Sequence, residues 1–149
     1  LEKASTANTT DGVNESDLTT FLIRLFLDIP IIKGWHKTKN ILITGGAGFI
    51  GGSLIEKLLK ETNHNIFNID YLGYASDLLK LEVFKNTYQK YHHINIDISD
   101  LANLKKAILR SDPDQIYHLA AESHVDRSID APFNFIKSNV IGTFNLLEA

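Results

Sequence analysis

Three glycines at a regular spacing could bind the phosphates of a nucleotide. Gly45, Gly48 and Gly51 lie three positions apart and follow Thr44 and the apolar residues 41–43, which are predicted to form a strand. In a turn from a strand into a helix, the first glycine takes unusual backbone angles, the second lets a pyrophosphate approach and the third allows close packing. The start of the helix adds free N–H groups and a positive dipole end. The spacing therefore predicts a dinucleotide site, and a tight turn without a ligand is the alternative.

An acidic residue stands where a dinucleotide site needs one. Asp70 ends a second apolar stretch, residues 66–70, and lies 19 positions after Gly51. A carboxylate there accepts hydrogen bonds from the ribose hydroxyls and would repel a 2′-phosphate. Residues 71–74 contain no Lys or Arg that could attract that phosphate. Asp70 therefore predicts NAD rather than NADP as the cofactor, and the alternative is that its carboxylate only caps the next turn.

The ends of the next two predicted strands add further candidates. Asp97 and Ile98 close the third strand, and ligands of parallel sheets lie outside the carboxyl ends of the strands. Asp97 is placed to contact the adenine amino group and Ile98 to pack on the ring, although Asp97 could instead cap the next helix beside Ser99. After the fourth strand, the small residues Ala120 and Ala121 allow a cofactor to lie against the backbone.

Two other clusters of reactive side chains are not predicted to form sites. Ser123, His124 and Asp126 are the residue types of a hydrolase triad. Chain neighbours point in different directions, however, and a triad must converge in space. His92 and His93 are adjacent on a predicted strand, so they face opposite sides of it and a shared metal ion is not expected.

The composition excludes several classes of protein. The chain has 149 residues, about one domain, and a net charge of −3, which argues against a nucleic-acid binder that neutralises phosphates. It has no Cys, which excludes disulfides, thiolate metal sites and a cysteine nucleophile and is compatible with a reducing compartment, so we expect a cytoplasmic protein. Its longest apolar stretch, residues 21–35, is interrupted by charges and a proline, so no membrane span is predicted.

The first 39 residues differ from the rest in composition and in the pattern of apolar residues. Residues 1–15 are rich in Thr, Ser and Asn and predict a disordered tail. Residues 16–39 predict an amphipathic helix and a linker, because Ser16 can cap the helix, apolar residues recur at helical spacing and Pro30 ends it. The apolar face could pack on this domain or on a partner, could lie on a membrane surface, or could belong to a segment foreign to the native protein.

From residue 40 onward, strands alternate with helices. This alternation predicts an α/β fold, a doubly wound parallel sheet of the Rossmann type that binds NAD, over residues 40–149. Four strands are expected, which leaves the sheet incomplete at the C-terminus. The predicted strands are residues 41–43, 66–70, 91–98 and 115–119, and the predicted helices are residues 49–60, 77–84, 100–110 (capped by Ser99) and 131–149.

With these motifs in view, residues 40–149 resemble the beginning of an extended short-chain dehydrogenase/reductase. Residues 118–128, which read His-Leu-Ala-Ala-Glu-Ser-His-Val-Asp-Arg-Ser, resemble the dTDP-glucose 4,6-dehydratases in particular. So do residues 45–51, 138–143 and 146–149. The sugar-nucleotide epimerases and decarboxylases share the glycine-rich turn, but their segment after the fourth strand usually differs.

The resemblance implies an NAD-dependent lyase acting on dTDP-glucose. Hydride leaves C4, water is eliminated across C5–C6, and the hydride returns to C6 to give dTDP-4-keto-6-deoxyglucose. The complete protein is expected to be a homodimer. Alternatives are another NAD-dependent sugar-nucleotide epimerase or dehydratase, or a catalytically dead nucleotide-binding fragment.

The resemblance also implies a role for each matching residue. Phe49 and Ile50 would lie on the pyrophosphate, residues 70–73 on the adenosine ribose, and residues 119–123 on the nicotinamide side, with Ser123 also near the sugar. The cofactor residues expected in this way, together with the three glycines, are Phe49, Ile50, Asp70, Tyr71, Leu72, Gly73, Asp97, Ile98, Leu119, Ala120, Ala121, Glu122, Ser123 and Ser138.

The reacting groups of that family are not found in this sequence. They are a Thr followed by an Asp-Glu pair, and a Tyr-x-x-x-Lys motif. None of the five tyrosines is followed by Lys four positions later. The catalytic residues are therefore expected beyond residue 149, and the 149-residue chain alone is predicted to be inactive.

Overall fold

The computed structural model describes residues 37–123 and 129–149. The predicted tail 1–15 and most of the predicted helix and linker, residues 16–36, lie outside the described residues, as do residues 124–128 of the segment after the fourth strand. All four predicted strands and all four predicted helices from residue 40 onward fall within the described part of the chain.

Four parallel strands form one sheet in the order β3-β2-β1-β4. They are β1 Asn40–Thr44, β2 Asn65–Ile69, β3 Tyr91–Ile94 and β4 Gln115–His118. Strand β1 pairs with β2 on one side and with β4 on the other, so that Leu42 lies opposite both Phe67 and Ile116. The predicted α/β class with a doubly wound parallel sheet is confirmed.

Helices follow the strands in the alternating pattern that the sequence predicts. They are α1 Phe49–Glu61, α2 Leu78–Thr87 and α3 Leu101–Ser111. The C-terminal helical segment consists of α4 Pro132–Phe135, a π-helical stretch Ile136–Gly142, and α5 Thr143–Glu148. The predicted single helix 131–149 is therefore divided by a π-helical stretch, a feature that often accompanies a functional site.

Two predicted details of the third strand and the following helix are wrong. Strand β3 ends at Ile94 rather than Ile98, because the chain then turns: the Ile96 N–H donates to the Ile94 carbonyl and the Asp100 N–H to the Asp97 carbonyl. Helix α3 is capped by Asp100, not by Ser99. The Asp100 carboxylate accepts from the Asn103 N–H at 3.1 Å, which satisfies one of the free donors of the first turn.

The core has two layers, one on each face of the sheet. Ile41 and Ile43 point to one face and pack with Ile55 and Leu59 of α1. Leu42 points to the other face and packs in a cluster built around α3. Both faces of β1 are buried, which is why its sequence is a continuous apolar run. Each such side chain contributes about 1.5–3 kcal/mol through burial.

The C-terminal helical segment carries an exposed apolar stripe. Phe133, Ile136, Val140, Phe144 and Leu147 recur at intervals of three or four residues, and all are exposed. This spacing places them along one side of the helical segment. Among the described residues, no helix combines the length and the apolar character needed to cross a bilayer.

Candidate nucleotide-binding site

A cleft opens at the carboxyl edge of the sheet, where the strand order reverses between β1 and β4. Its free volume is about 960 Å³, a figure that includes the solvent at its mouth. Parallel sheets bind ligands at this position because the loops on either side run in opposite directions. Every predicted cofactor residue except Leu72 lines the cleft. They are Gly45, Gly48, Phe49, Ile50, Gly51, Asp70, Tyr71, Gly73, Asp97, Ile98, Leu119, Ala120, Ala121, Glu122, Ser123 and Ser138.

Gly45 lies where two backbones meet. Its φ is +73°, a left-handed conformation that glycine adopts without strain. A Cβ on Gly45 would lie 2.6 Å from both the N and the Cα of Ala120. Only a residue without a side chain therefore lets the turn after β1 pass beside the segment that follows β4.

The fold requires glycine at position 51 but leaves room for a side chain at position 48. A Cβ on Gly51 would lie 2.3 Å from the Gly45 carbonyl oxygen, so Gly51 brings α1 against the turn itself. A Cβ on Gly48 would meet only the Gly45 carbonyl oxygen, at 3.4 Å. The fold does not demand glycine at position 48. The remaining space beside Gly48 belongs to the cleft, which is the side from which a pyrophosphate would approach.

The N-terminus of α1 is open to an anion. Its N-cap is Gly48, which has no side chain to bond the free N–H groups, and its first turn carries no acidic residue. The Phe49 and Ile50 side chains beside it are 91% and 69% exposed. Backbone donors and the helix dipole therefore remain available for phosphate, and these features fit a dinucleotide.

Asp70 both shapes its loop and faces the cleft. Its Oδ2 accepts from the Ala47 N–H and its Oδ1 from the Leu72 N–H, each at 2.9 Å. The two readings of Asp70, a turn cap and a cleft residue, are thus compatible, because each carboxylate oxygen keeps a second lone pair for a ribose hydroxyl. Leu72, the exception among the lining residues, has a φ of +62° and packs against the core.

A hydrogen bond joins the loops after β2 and β4. The Tyr71 hydroxyl donates to Glu122 Oε1 at 3.1 Å. Burial, and then the bond to the Glu122 carboxylate, raises the pKa of Tyr71. Gly73 makes room for this hydroxyl, since a Cβ at position 73 would lie 2.7 Å from it.

Asp97 is held in the cleft wall by two partners. Its Oδ2 pairs with Lys137 Nζ at 2.7 Å, and its Oδ1 accepts from the Ser99 N–H at 2.9 Å. Burial raises the pKa of Asp97, but the bonds to Lys137 and Ser99 outweigh it and hold that pKa below its usual value. Ile98 is 5% exposed and packs in the second core layer while still lining the cleft.

The segment after β4 is fastened by a residue that the sequence did not single out. Asn139 Oδ1 accepts from the Glu122 N–H at 2.8 Å, and Asn139 Nδ2 donates to the Glu122 carbonyl at 2.9 Å. Asn139 lies in the π-helical stretch next to Ser138, which lines the cleft. The signals available in the sequence were its place in the resembling segment 138–143 and its position next to Ser138.

Several other lining residues were also missed. Tyr74, Ala75 and Ser76 continue the loop that begins at Asp70, so loop membership could have indicated them. Ile69 and Ile96 line the cleft as well, but they read as ordinary apolar residues of strands and turns.

The adjacent histidines of β3 have separate surroundings. His92 stacks on Phe67 with ring centroids 4.9 Å apart, whereas His93 Nε2 lies 3.2 Å from the Asp70 carbonyl oxygen. In residues 37–123 and 129–149, no group of three His, Cys, Asp or Glu is placed to hold a metal ion. Ser123 lines the cleft, while His124 and Asp126, its partners in the rejected triad, lie outside the described residues.

The strand order, the glycine-rich turn and the cleft define a nucleotide-binding domain of the Rossmann type. A family model described as GDP-mannose 4,6 dehydratase matches residues 42–149, and the chain belongs to that family. The predicted resemblance to the dTDP-glucose 4,6-dehydratases is confirmed by relatives with that name. That of Neisseria gonorrhoeae is 44% identical over 111 residues, which are 74% of this chain and 32% of that protein.

Solved structures of related enzymes share the fold. A dTDP-glucose 4,6-dehydratase of Streptomyces venezuelae with NAD bound has a TM-score of 0.66 and 35% identity, over 72% of this chain and 34% of that one. A UDP-Glc/GlcNAc 4-epimerase of Campylobacter jejuni has a TM-score of 0.67 and 33% identity, over 75% and 33% respectively. The chain spans about a third of the length of the curated relatives it matches.

The contrast between Gly48 and Gly51 generates a prediction. Gly48→Ala should lower the free energy of unfolding by less than about 1 kcal/mol, since only an N-cap preference is lost. Gly51→Ala should lower it by about 1–3 kcal/mol or more, because its Cβ meets backbone. Denaturant unfolding measures both.

If NAD occupies the cleft, Gly48→Ala should nevertheless weaken NAD binding, and unchanged affinity would show that no ligand approaches Gly48.

Two half-buried histidines predict a dependence of stability on pH. Burial is the main cause that lowers the pKa of His93 and the pKa of His118 from 6.5. The unfolded chain therefore binds more protons, and the free energy of unfolding should fall as the pH drops below about 6.5. Urea titrations between about pH 7.5 and 5.5 measure this slope. His93→Asn with His118→Asn should flatten it, and an identical slope in that double variant would contradict the assignment.

Proposed function

We propose that the cleft binds NAD and that this domain is the nucleotide-binding part of a dTDP-glucose 4,6-dehydratase. One observation carries the proposal: the uncapped N-terminus of α1, the open side of Gly48 and the Asp70 carboxylate all border one cleft. The first two suit a pyrophosphate and the third a ribose. The Streptomyces venezuelae relative was solved with NAD bound, which supports the same ligand here.

The described residues would bind and orient the cofactor. Asp70 would accept from the adenosine ribose, and Asp97 and Ile98 would flank the adenine. The backbone of residues 119–123 would lie along the nicotinamide, with Ser123 towards the sugar. NAD, when bound, supplies a reversible hydride acceptor for oxidation at C4 and reduction at C6.

The preference for NAD over NADP rests on charge. A 2′-phosphate would approach the Asp70 carboxylate, and the cleft lining within the described residues contains no Lys or Arg to offset the repulsion. The ribose hydroxyls of NAD can instead donate to Asp70.

The complete enzyme would convert dTDP-glucose to dTDP-4-keto-6-deoxyglucose. The names of the relatives support this substrate. Within the described part, the predicted resemblance is carried by residues 45–51, 118–123, 138–143 and 146–149. The exposed stripe of the C-terminal helical segment supports a homodimer, since an apolar helix face of this length is stabilised by burial against a partner.

A sugar-nucleotide 4-epimerase is the second candidate function. The Campylobacter jejuni epimerase resembles this chain about as closely as the dehydratases do in backbone terms. Incubation of the complete protein with dTDP-glucose and with UDP-glucose separates the candidates, since a dehydratase forms a 4-keto-6-deoxy product and an epimerase changes only the configuration at C4.

The role of Asp70 can be tested on the 149-residue chain. Asp70→Ala should weaken NAD binding roughly 10- to 150-fold, because a hydrogen bond to a charged acceptor contributes about 1.5–3 kcal/mol. It should also narrow the preference for NAD over NADP. Isothermal titration calorimetry with both nucleotides measures the two effects.

Asp100→Ala is the matched control for Asp70→Ala. It also removes a carboxylate that caps backbone N–H groups, but Asp100 does not line the cleft. It should lower stability by about 0.5–2 kcal/mol while leaving NAD affinity unchanged. Equal NAD affinity in the Asp70 variant and the unaltered chain would refute the assigned ribose contact.

We expect no turnover of dTDP-glucose by the 149-residue chain. Oxidation at C4 needs a base, and the Tyr-x-x-x-Lys motif that supplies it in the family is missing from these residues. Incubation with NAD and dTDP-glucose, followed by chromatography of the sugar nucleotides, is the measurement. Formation of the 4-keto-6-deoxy product would show that other groups of this chain transfer the protons.

A further inference from the structure

Behind the cleft wall, three side chains form a continuous row of hydrogen bonds. Thr44 Oγ1, at the end of β1, lies 2.6 Å from His118 Nδ1, at the end of β4. His118 Nε2 lies 2.9 Å from Thr143 Oγ1, at the start of α5. The row therefore joins the central strand, the strand beside it and the C-terminal helical segment. The dinucleotide contacts proposed above do not use His118.

The direction of the two hydrogen bonds of His118 follows from the other partners of Thr44 and Thr143. Thr44 Oγ1 accepts from the Ala120 N–H at 3.2 Å and shares the Leu119 N–H, also at 3.2 Å, with the Thr44 carbonyl oxygen, which lies nearer to that N–H at 3.1 Å. With these donors on its oxygen, the Thr44 hydroxyl directs its single proton to its remaining neighbour, His118 Nδ1, at 2.6 Å. The Thr143 hydroxyl leads to the same assignment, because its proton is directed to the Asn139 carbonyl and His118 Nε2 must therefore be the donor to Thr143 Oγ1. His118 Nδ1 is consequently an acceptor without a proton.

The other end of the row is consistent with this assignment. With Nδ1 unprotonated, the neutral ring carries its proton on Nε2 and donates to Thr143 Oγ1. The Thr143 hydroxyl in turn donates to the Asn139 carbonyl at 2.7 Å. Every donor in the row has an acceptor when His118 is the neutral Nε2–H tautomer. A second proton, on Nδ1, would face the Thr44 hydroxyl oxygen, which already accepts from the Ala120 N–H and shares the Leu119 N–H.

The row is attached to the cleft wall at both of its ends. Thr44 directly precedes Gly45, whose backbone touches that of Ala120. At the other end, Asn139 holds the backbone of Glu122 through two hydrogen bonds. The segment from Leu119 to Glu122 is therefore fixed from the sheet side and from the helix side, and His118 connects the two attachments.

We propose that His118, as the neutral Nε2–H tautomer, is a positioning residue that holds the backbone of residues 119–122 for the nicotinamide half of NAD. The inference rests on the proposed NAD site. Burial lowers the pKa of His118, which agrees with a neutral ring. Because the row does not reach Asp70 or the N-terminus of α1, it should affect the nicotinamide half of the cleft more than the adenosine half.

The test breaks the row at Thr143, which lies outside the cleft lining. Thr143→Val removes the acceptor of His118 Nε2 and the donor to Asn139 at nearly constant volume, whereas Thr143→Ser keeps both. Calorimetry on the 149-residue chain compares NAD with ADP, which lacks the nicotinamide half. We expect Thr143→Val to weaken NAD binding roughly 5- to 20-fold, since a half-buried donor loses its partner. ADP affinity should change less than twofold, and Thr143→Ser should match the unaltered chain.

Two substitutions of His118 separate its two bonds. His118→Gln can present an amide near the Nε2 position, towards Thr143, and His118→Asn can present one near the Nδ1 position, towards Thr44. We expect each to bind NAD more tightly than His118→Ala and more weakly than the unaltered chain, with ADP affinity retained in all three. Retained ADP affinity also shows that the variants are folded.

A spectroscopic measurement reads the tautomer directly. The ¹⁵N chemical shifts of the His118 ring should show a protonated Nε2 and an unprotonated Nδ1 at neutral pH, and Thr143→Val should alter the Nε2 resonance.

An Nδ1–H ring, or equal loss of NAD and ADP affinity in Thr143→Val, would overturn the proposal. If the unaltered chain binds ADP and NAD but Thr143→Val leaves NAD affinity unchanged, only this inference fails. If the unaltered chain binds neither nucleotide, the proposed function fails with it.

Discussion

The close approach of two backbones, at Gly45 and Ala120, is the contact on which the site depends. The turn after β1 can pass the segment after β4 only because Gly45 has no side chain and takes a left-handed conformation. This contact sets the distance between the two walls of the cleft. It also brings Thr44 within reach of the Ala120 N–H, so that the hydroxyl accepts from a donor just beyond the end of the sheet.

The electrostatics of the cleft follow from this backbone arrangement. Carboxylates border it at Asp70, Asp97 and Glu122, and each has a partner from the protein: backbone N–H groups, the Lys137 ammonium, and the Tyr71 hydroxyl, respectively. Among the described lining residues there is no Lys or Arg. Positive potential for a phosphate therefore comes from the N-terminus of α1, where unpaired N–H groups converge. The carboxylates that can accept from hydroxyls and the backbone N–H groups that can donate to phosphate thus lie in different parts of the cleft. This separation suits a dinucleotide, in which the ribose is uncharged and the pyrophosphate is charged.

Binding and chemistry are carried by different parts of such enzymes, which explains why a dehydratase and an epimerase match the backbone of this chain about equally well. Both solved structures share the backbone fold of this chain, and in cofactor enzymes the protein supplies the binding and orientation of the cofactor. What distinguishes their reactions is the set of acids and bases around the sugar. The family's motifs for those groups are not found in these 149 residues, which is why substrate and reaction are inferred from the relatives rather than from the cleft.

Local patterns in the chain were enough to predict the alternation of strands and helices, the glycine-rich turn and the position of Asp70. They depend on periods of two and 3.6 residues and on the conformational freedom of glycine, which act between near neighbours. Packing decided that Leu72 turns into the core. The end of β3 at Ile94 and the cap of α3 by Asp100 instead depend on local turns whose hydrogen bonds become definite only in the folded backbone. The same holds for the fastening of residues 119–122 by Asn139 and for the row through His118, because their partners lie 17 to 76 positions apart in the chain. Such hydrogen bonds arise only after the sheet has set which distant residues meet.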